Sequence, residues 1–311
     1  MKTFATALIL FVSFFVIIYL IYNTGIVLST EEIKTLKLLI YVCLGVIIYC
    51  IVSSELTGNY SQVDRLWSIV PLAYAWIIAW QDGFGIRALA CAVLVSMWGI
   101  RLSANFALKG GYHWLPWKGE EDYRWEYLRK EPAFQKRINW FLFNVFFISF
   151  YQMGLILYFS LPMLLFLGPD AAAFGTLDII AIGLFIFFLL VELIADIQQF
   201  RFQKEKYRLK AEGGELPDPY AKGFIDSGLW AIVRHPNYAA EQMIWFCVYL
   251  FGVAASGEWV NWTLGGFILL VLLFKGSSDF SERISASKYP KYKEYIARVP
   301  RFIPGLRFGK S

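Results

Sequence analysis

Long apolar runs divided by short charged stretches set the first reading of this 311-residue chain. Eight runs stand out: Phe4–Tyr22, Leu36–Val52, Leu66–Trp80, Ala88–Leu108, Trp140–Leu167, Leu177–Ile197, Tyr238–Ala255 and Trp262–Phe274. They do not alternate with the period of two that a membrane barrel requires. A helix crossing a bilayer core needs about 20 apolar residues. The pattern therefore predicts an all-α, polytopic integral membrane helix bundle of seven to eight spanning helices. It reads as a single integral membrane domain over 1–311, with 1–55 as N-terminal anchor spans. The first run is long and has no obvious small-residue cleavage site, so it reads as a retained anchor rather than a cleaved signal.

Composition agrees, with 58% hydrophobic and only 17% charged residues, against about 25% charged in soluble domains. The net charge of +5 is unevenly placed. Segments 107–139, 199–237 and 275–311 hold 23 of the 29 Lys and Arg residues, and the connections at 168–176 and 256–261 hold none. That asymmetry suits membrane topology rather than nucleic-acid binding. With eight spans the rich segments share one side, which the positive-inside rule makes cytosolic, together with both termini. The expected setting is a multi-pass protein of a bacterial inner membrane or the endoplasmic reticulum. Cys43, Cys50, Cys91 and Cys247 all sit inside apolar runs and read as small buried hydrophobes. With two histidines and no zinc spacing, no metal centre is expected.

The stretches between runs carry their own signals. Gly110-Gly111 ends the fourth run, and Glu120-Glu121 to Arg129-Lys130 reads as a short interfacial helix whose charges suit its dipole. Trp114, Trp117 and Trp125 fit the headgroup belt. Residues 203–227 read as a long cytosolic loop, and residues 278–304 as a Pro-interrupted amphipathic helix.

Polar residues inside apolar spans are costly and face the bundle interior or water. Glu192, Asp196, Gln199 and Gln203 share one face of the sixth run. Trp98, Arg101 and Asn105 do so on the fourth, Asn144 and Gln152 on the fifth, and Asn237, Glu241 and Trp245 on the seventh. Together they describe a polar cavity in the C-terminal half, open to the cytosol and rimmed by positive charge. Such a cavity suits an anionic water-borne cofactor and a lipophilic substrate. At its edge stands "GLWAIVRHPNYAAEQMIW", residues 228–245. Pro236 belongs in a helix's first turn, with His235 at the cap and Asn237 and Tyr238 just inside. Arg234 offers a bidentate donor to phosphate or carboxylate, and Glu241 lies one turn deeper. Two readings stand at this point: a cofactor clamp, or a basic flank that reaches lipid headgroups.

This segment resembles the C-terminal signature of the steroid 5-alpha-reductase superfamily, closest to the membrane family catalogued as domain of unknown function 1295. "SQVDRLWS" (61–68), "WGIRLSANF" (98–106), "EEDYRW" (120–125), "DIQQFRFQ" (196–203) and "FSERISASKYPKYKEYIARVPRFIP" (280–304) resemble that family's blocks in order, over about residues 60 to 305. The resemblance implies a cytosol-facing cofactor cavity among the C-terminal helices. It implies NADPH, which delivers hydride to an activated carbon–carbon double bond. It assigns Asp196, Arg201, Arg234, His235, Asn237, Tyr238, Glu241, Glu282, Tyr292 and Tyr295 to the cofactor wall, with Arg101 on the fourth span; Gln199 and Asn105 are expected to join them from the polar faces read above. Trp98 stands where steroid reductases place a catalytic tyrosine, so a steroid substrate does not follow. Asp64, or Glu55 in "SSELTG", is the acid expected to polarise a carbonyl or supply a proton.

The same architecture more distantly resembles isoprenylcysteine carboxyl methyltransferases and phospholipid methyltransferases, which use S-adenosylmethionine. Ala240-Glu241 and the single Glu282 of "SDFSER" tilt the reading toward the reductases. A non-enzymatic lipid-binding protein that keeps the fold is the third reading. The expected partners are a lipophilic small molecule and membrane lipids, with no nucleic acid and no metal.

Overall fold

The computed structural model describes residues 11–13, 15, 19, 28–115, 118–213 and 215–305. Most of the expected first span, Phe4–Tyr22, and Trp117 lie outside them. The described chain is helical. Its helices are α1 (Thr30–Thr57), α2 (Gln62–Trp67), α3 (Val70–Gln81), α4 (Ile86–Leu108), α5 (Tyr123–Arg129) and α6 (Arg137–Leu167). They continue with α7 (Thr176–Ala211), α8 (Leu229–Ile232), α9 (Pro236–Ser256), α10 (Leu264–Lys288) and α11 (Tyr292–Arg298). Among the described helices, α1, α4, α6, α7, α9 and α10 are long and apolar enough to cross a membrane. The protein is a multi-pass helical membrane protein.

Two expectations need correction. The third span, Leu66–Trp80, is two helices broken at Ser68-Ile69. Pro71 has no N–H to give the Trp67 carbonyl, so the helix cannot run through. Its longer piece, α3, has 12 residues and is about 18 Å long, short of a hydrocarbon core of about 30 Å. The loop expected at 203–227 is helical as far as Ala211, which makes α7 36 residues long. Good helix formers extend it, and Arg208 bridges Glu205 and Glu212 at i−3 and i+4.

The chain forms two compact units, described separately below: residues 1–183 with 245–270, and residues 184–244 with 271–311.

In the first unit, α1 opens on a capping box, in which Ser29 accepts from the Glu32 amide while Glu32 reaches back to the Ser29 amide. It closes on Gly58 in the left-handed region. A stripe of Leu39, Cys43, Ile47, Cys50 and Ser54 is its buried face, packed against α6. Within α6 the turn widens to a π-helix over Asn144–Tyr151. Close approach of helices explains two glycines. A Cβ on Gly99 would lie 2.6 Å from the Ser68 carbonyl, and one on Gly266 would lie 2.6 Å from the Tyr158 carbonyl. Arg87 and Asp178 form a buried bidentate pair at 2.7 and 2.9 Å. Arg87 also donates to the carbonyls of Ala172 and Ala173. The pair ties the start of α4 to the loop before α7 and to that helix's first turn.

The second unit is built on α7 beyond Leu184. Phe202, Ile225 and Trp230 form one of its cores, and Phe224, Tyr292, Tyr295 and Val299 another. Gly228 is the tight point, at φ 60°. A Cβ there would meet the Gln198 amide at 2.6 Å, and that same amide oxygen accepts from Leu229 N at 3.0 Å.

Truncating one partner of a buried ion pair strands the other charge, at a cost of about 3–5 kcal/mol. Asp178→Ala is expected to lower the thermal midpoint of the purified protein sharply, whereas the double change Arg87→Met/Asp178→Leu recovers most of the loss. Equal losses in both variants would contradict the account.

Candidate functional site

In the second unit the polar face read from the sixth run is real. Glu192 and Asp196 are buried, and Gln199 and Gln203 half-buried, along one side of α7. α9 begins at Pro236, as its fixed φ and missing donor favour. In its first turn Asn237 donates through Nδ2 to Asp196 Oδ1 at 3.2 Å, and its own Oδ1 accepts from the Tyr238 amide at 3.0 Å. The Asp196–Asn237 pair joins two faces picked out separately in the sequence. Glu241 is buried one turn further on. The amide oxygen of Gln199 is buried and accepts no hydrogen bond from the described residues. Arg201 is exposed, because five residues from Asp196 carries it round to the other side of the helix.

Arg234 and His235 are placed otherwise than a ligand clamp needs. Both are buried, and both close on Glu282. Arg234 Nε lies 2.7 Å from Glu282 Oε1, and His235 Nε2 lies 2.9 Å from the same oxygen. Arg301 takes the other oxygen at 3.0 Å. Arg234 Nη2 also donates to that second oxygen at 3.3 Å, and its Nη1 donates to the carbonyls of Ile296 and Val299. Backbone amides of Arg234 and His235 donate to Pro300 and Arg301 at 2.8 and 3.1 Å. The Arg-His-Pro segment and Glu282 are thus a clasp for residues 296–301, and the Arg234 guanidinium is taken up by protein acceptors. Tyr292 and Tyr295 pack with Phe224, and Tyr295 donates to the Trp230 carbonyl at 2.5 Å. Tyr238 stacks on the His235 ring with centroids 5.3 Å apart. Burial, only partly offset by Glu282, holds the His235 pKa below its ordinary value.

The first unit holds its own charged cluster. Trp125 Nε1 donates to Asp64 Oδ2 at 2.7 Å. Arg124 lies 2.8 Å from Asp122 and 3.4 Å from Asp64. Ser61 accepts from the Asp122 amide at 2.8 Å. Burial raises the Asp64 pKa against the pull of Arg124. Burial also works on Asp122, but the charge and hydrogen bonds of Arg124 hold its carboxyl below the usual range. Two carboxylates sharing one guanidinium are therefore split, the Asp64 pKa moved up and that of Asp122 moved down. Arg65 donates to the carbonyls of Gly111 and Gly119, both at 3.0 Å, beside a cleft of about 150 Å³ lined by Gln62, Tyr112 and His113. Ser61, Asp122 and Arg124 are absent from the residues singled out in the sequence. They lie within its quoted blocks, but about 60 positions separate the two halves of the cluster.

The other expected residues of this unit are dispersed. Glu55 accepts from Asn144 Nδ2 at 2.9 Å. Trp98 is fully buried, edge-on to Trp245 at 5.0 Å, and Trp245 in turn packs on Phe159. Arg101 and Asn105 are half-buried on α4.

Removing the Glu282 anion leaves Arg234, His235 and Arg301 facing one another, at about 3–5 kcal/mol for a stranded buried charge. Glu282→Ala is expected to speed tryptic cleavage after Arg298 and Arg301 by at least tenfold, while Lys293→Ala leaves it unchanged. His235 adds a pH dependence. Its folded pKa lies below the unfolded value of 6.5, so the unfolded chain takes up the proton first. Its contribution is complete above pH 6.5 and is lost as pH falls through the folded value. The thermal midpoint should drop between pH 7 and pH 5, and drop less in His235→Gln.

Comparison with known proteins places the chain. It is 37% identical over 263 residues to the uncharacterized protein C594.04c of Schizosaccharomyces pombe, covering 80% of this chain and 74% of that one. Over 116 residues it is 33% identical to a protein of Acanthamoeba polyphaga mimivirus named as a probable 7-dehydrocholesterol reductase. That match covers 34% of this chain and 25% of the viral protein. No solved structure matches. Residues 48–299, which include the Asp64 cluster and Arg234, His235 and Glu282, match the model of the family described as protein of unknown function (DUF1295), and to that family this chain belongs.

Proposed function

We propose that this protein is a membrane-embedded reductase of a carbon–carbon double bond in a lipophilic substrate, whether steroid-like, isoprenoid or fatty, with NADPH as the reductant. The observation that carries the reading is the likeness of a third of the chain to the viral protein named as a probable 7-dehydrocholesterol reductase. The residues of the second unit fit such a cofactor. Gln199 offers a buried carbonyl oxygen with no partner among the described residues, suited to the N–H of a carboxamide. Asp196 and Asn237 offer an acceptor and a donor already fixed by each other. Arg234 is not assigned a phosphate role, because its donors are taken up by Glu282 and backbone carbonyls.

NADPH, when bound, supplies a hydride. The protein's task is to orient it, exclude water and provide a proton for the second carbon. In the first unit burial raises the Asp64 pKa, the direction a general acid needs, and the Trp125 N–H fixes its orientation. A group of that kind contributes about 10²- to 10⁴-fold as a general acid.

Thermal shift of the purified protein separates the cofactor classes. NADPH is expected to raise the midpoint and S-adenosylmethionine to leave it unchanged; stabilisation by S-adenosylmethionine alone would sink the proposal. Asn237→Ala should weaken NADPH binding about tenfold, the loss of one hydrogen bond in a buried site. Asp64→Asn should retain the NADPH shift and lower NADPH consumption with 7-dehydrocholesterol or another lipid acceptor by at least 10²-fold.

A further inference from the structure

The first unit carries a second polar site outside both charged clusters. An open groove of about 470 Å³ is lined by Glu55, Arg137, Ile138 and Phe141. Glu55 lies in the last turn of α1 and Arg137 begins α6. Both mark ends of apolar spans, where a chain leaves hydrocarbon for the headgroup layer. Ile138 and Phe141 are exposed and give the groove an apolar floor. One carboxylate and one guanidinium share this groove without forming an ion pair with each other. Arg137 has no side-chain hydrogen bond or ion pair among the described residues, and Glu55 uses only Oε1.

Glu55 is held there by a built support. Asn144, fully buried, donates to its Oε1 at 2.9 Å. Asn144 is steadied in turn by the Ser149 hydroxyl, which donates to its Oδ1 at 3.3 Å. Ser149 lies five residues on, at the spacing that the π-helical turn of α6 brings together. Such turns are rare in helices and frequent at functional sites. A buried amide spent on orienting one carboxylate leaves the second oxygen directed by structure rather than by chance rotamer.

We infer that this groove binds the headgroup of a zwitterionic phospholipid with a primary amine, of the phosphatidylethanolamine type. The ammonium donates to Glu55 through N–H bonds, a charge-assisted contact. The phosphate meets Arg137, whose planar fork suits it, and the start of the acyl chains lies on Ile138 and Phe141. Phosphatidylcholine has no ammonium N–H to give Glu55, and phosphatidylglycerol brings no cation at all. The groove thereby selects among lipids of similar shape. This assigns Glu55 to lipid recognition rather than to proton transfer, and it stands whether or not NADPH is the cofactor.

Native mass spectrometry of the delipidated full-length protein tests it, by titration with short-chain phosphatidylethanolamine, phosphatidylcholine and phosphatidylglycerol. Phosphatidylethanolamine is expected to bind about tenfold more tightly than phosphatidylcholine, as one hydrogen bond to a charged group implies. Glu55→Gln keeps an acceptor for Asn144 and removes the charge. It should erase that preference with the thermal midpoint unchanged. Arg137→Gln should weaken both zwitterionic lipids, and Lys136→Gln, its exposed neighbour, neither. Equal binding of the three lipids, tightest binding of phosphatidylglycerol, or the same loss from Lys136→Gln would overturn the inference.

Discussion

One carboxylate organises the second unit. Glu282 gives its two oxygens to two arginines and a histidine that reach it from two parts of the chain, and it is itself almost wholly buried. A buried anion is tolerated only when its lone pairs are filled by good donors. Here the donors come from the segment before α9 and from the segment after α11, so satisfying the charge also fixes where both segments lie. The paired backbone amides of Arg234 and His235 follow from that placement. So does the aromatic packing of Phe224, Tyr292 and Tyr295, the last of which seals the Trp230 carbonyl. Once the clasp is closed, Asn237 enters the first turn of α9 in a fixed register and finds Asp196.

The first unit meets the same constraint with different means. Its buried cations are met by bidentate or forked partners: Arg87 by Asp178 and a row of carbonyls, Arg65 by the carbonyls of Gly111 and Gly119. Lipid supplies no hydrogen bonds, so every such group has to be answered from within the chain. Glycines at Gly99 and Gly266 let the helices come close enough for this network to sit beside ordinary apolar packing.

The sequence made the helical architecture readable, because span-length apolar runs with no period of two leave few alternatives. It also made the polar face of α7 and the start of α9 readable, since a row at i, i+4, i+7 and a proline at N1 are local signals. What it concealed was non-local. The role of Arg234 depends on Glu282, 48 positions away, and a guanidinium that could bind phosphate looks the same in sequence as one held by a carboxylate. The Asp64 cluster was divided between two motifs for the same reason. The break at Ser68-Ile69 was present in Pro71 but was outweighed by the apolar run around it. The extension of α7 to Ala211 was written in its Glu and Lys residues, which hydropathy alone treats as loop.

The length of α7 has a consequence of its own. Thirty-six residues make a rod of about 54 Å, well beyond a hydrocarbon slab of about 30 Å. The row from Glu192 to Gln203 lies about 24 to 40 Å along that rod, so a slab of about 30 Å entered at Thr176 ends within it. How much of the row is wetted is therefore set by the acyl length of the surrounding lipids. Each added ångström of bilayer draws Asp196 and Gln199 toward oil, and each one lost hands them to water. The polarity of the candidate site is in this sense a property of the protein and its membrane jointly, and the same chain presents a different dielectric environment in a thin bilayer than in a thick one.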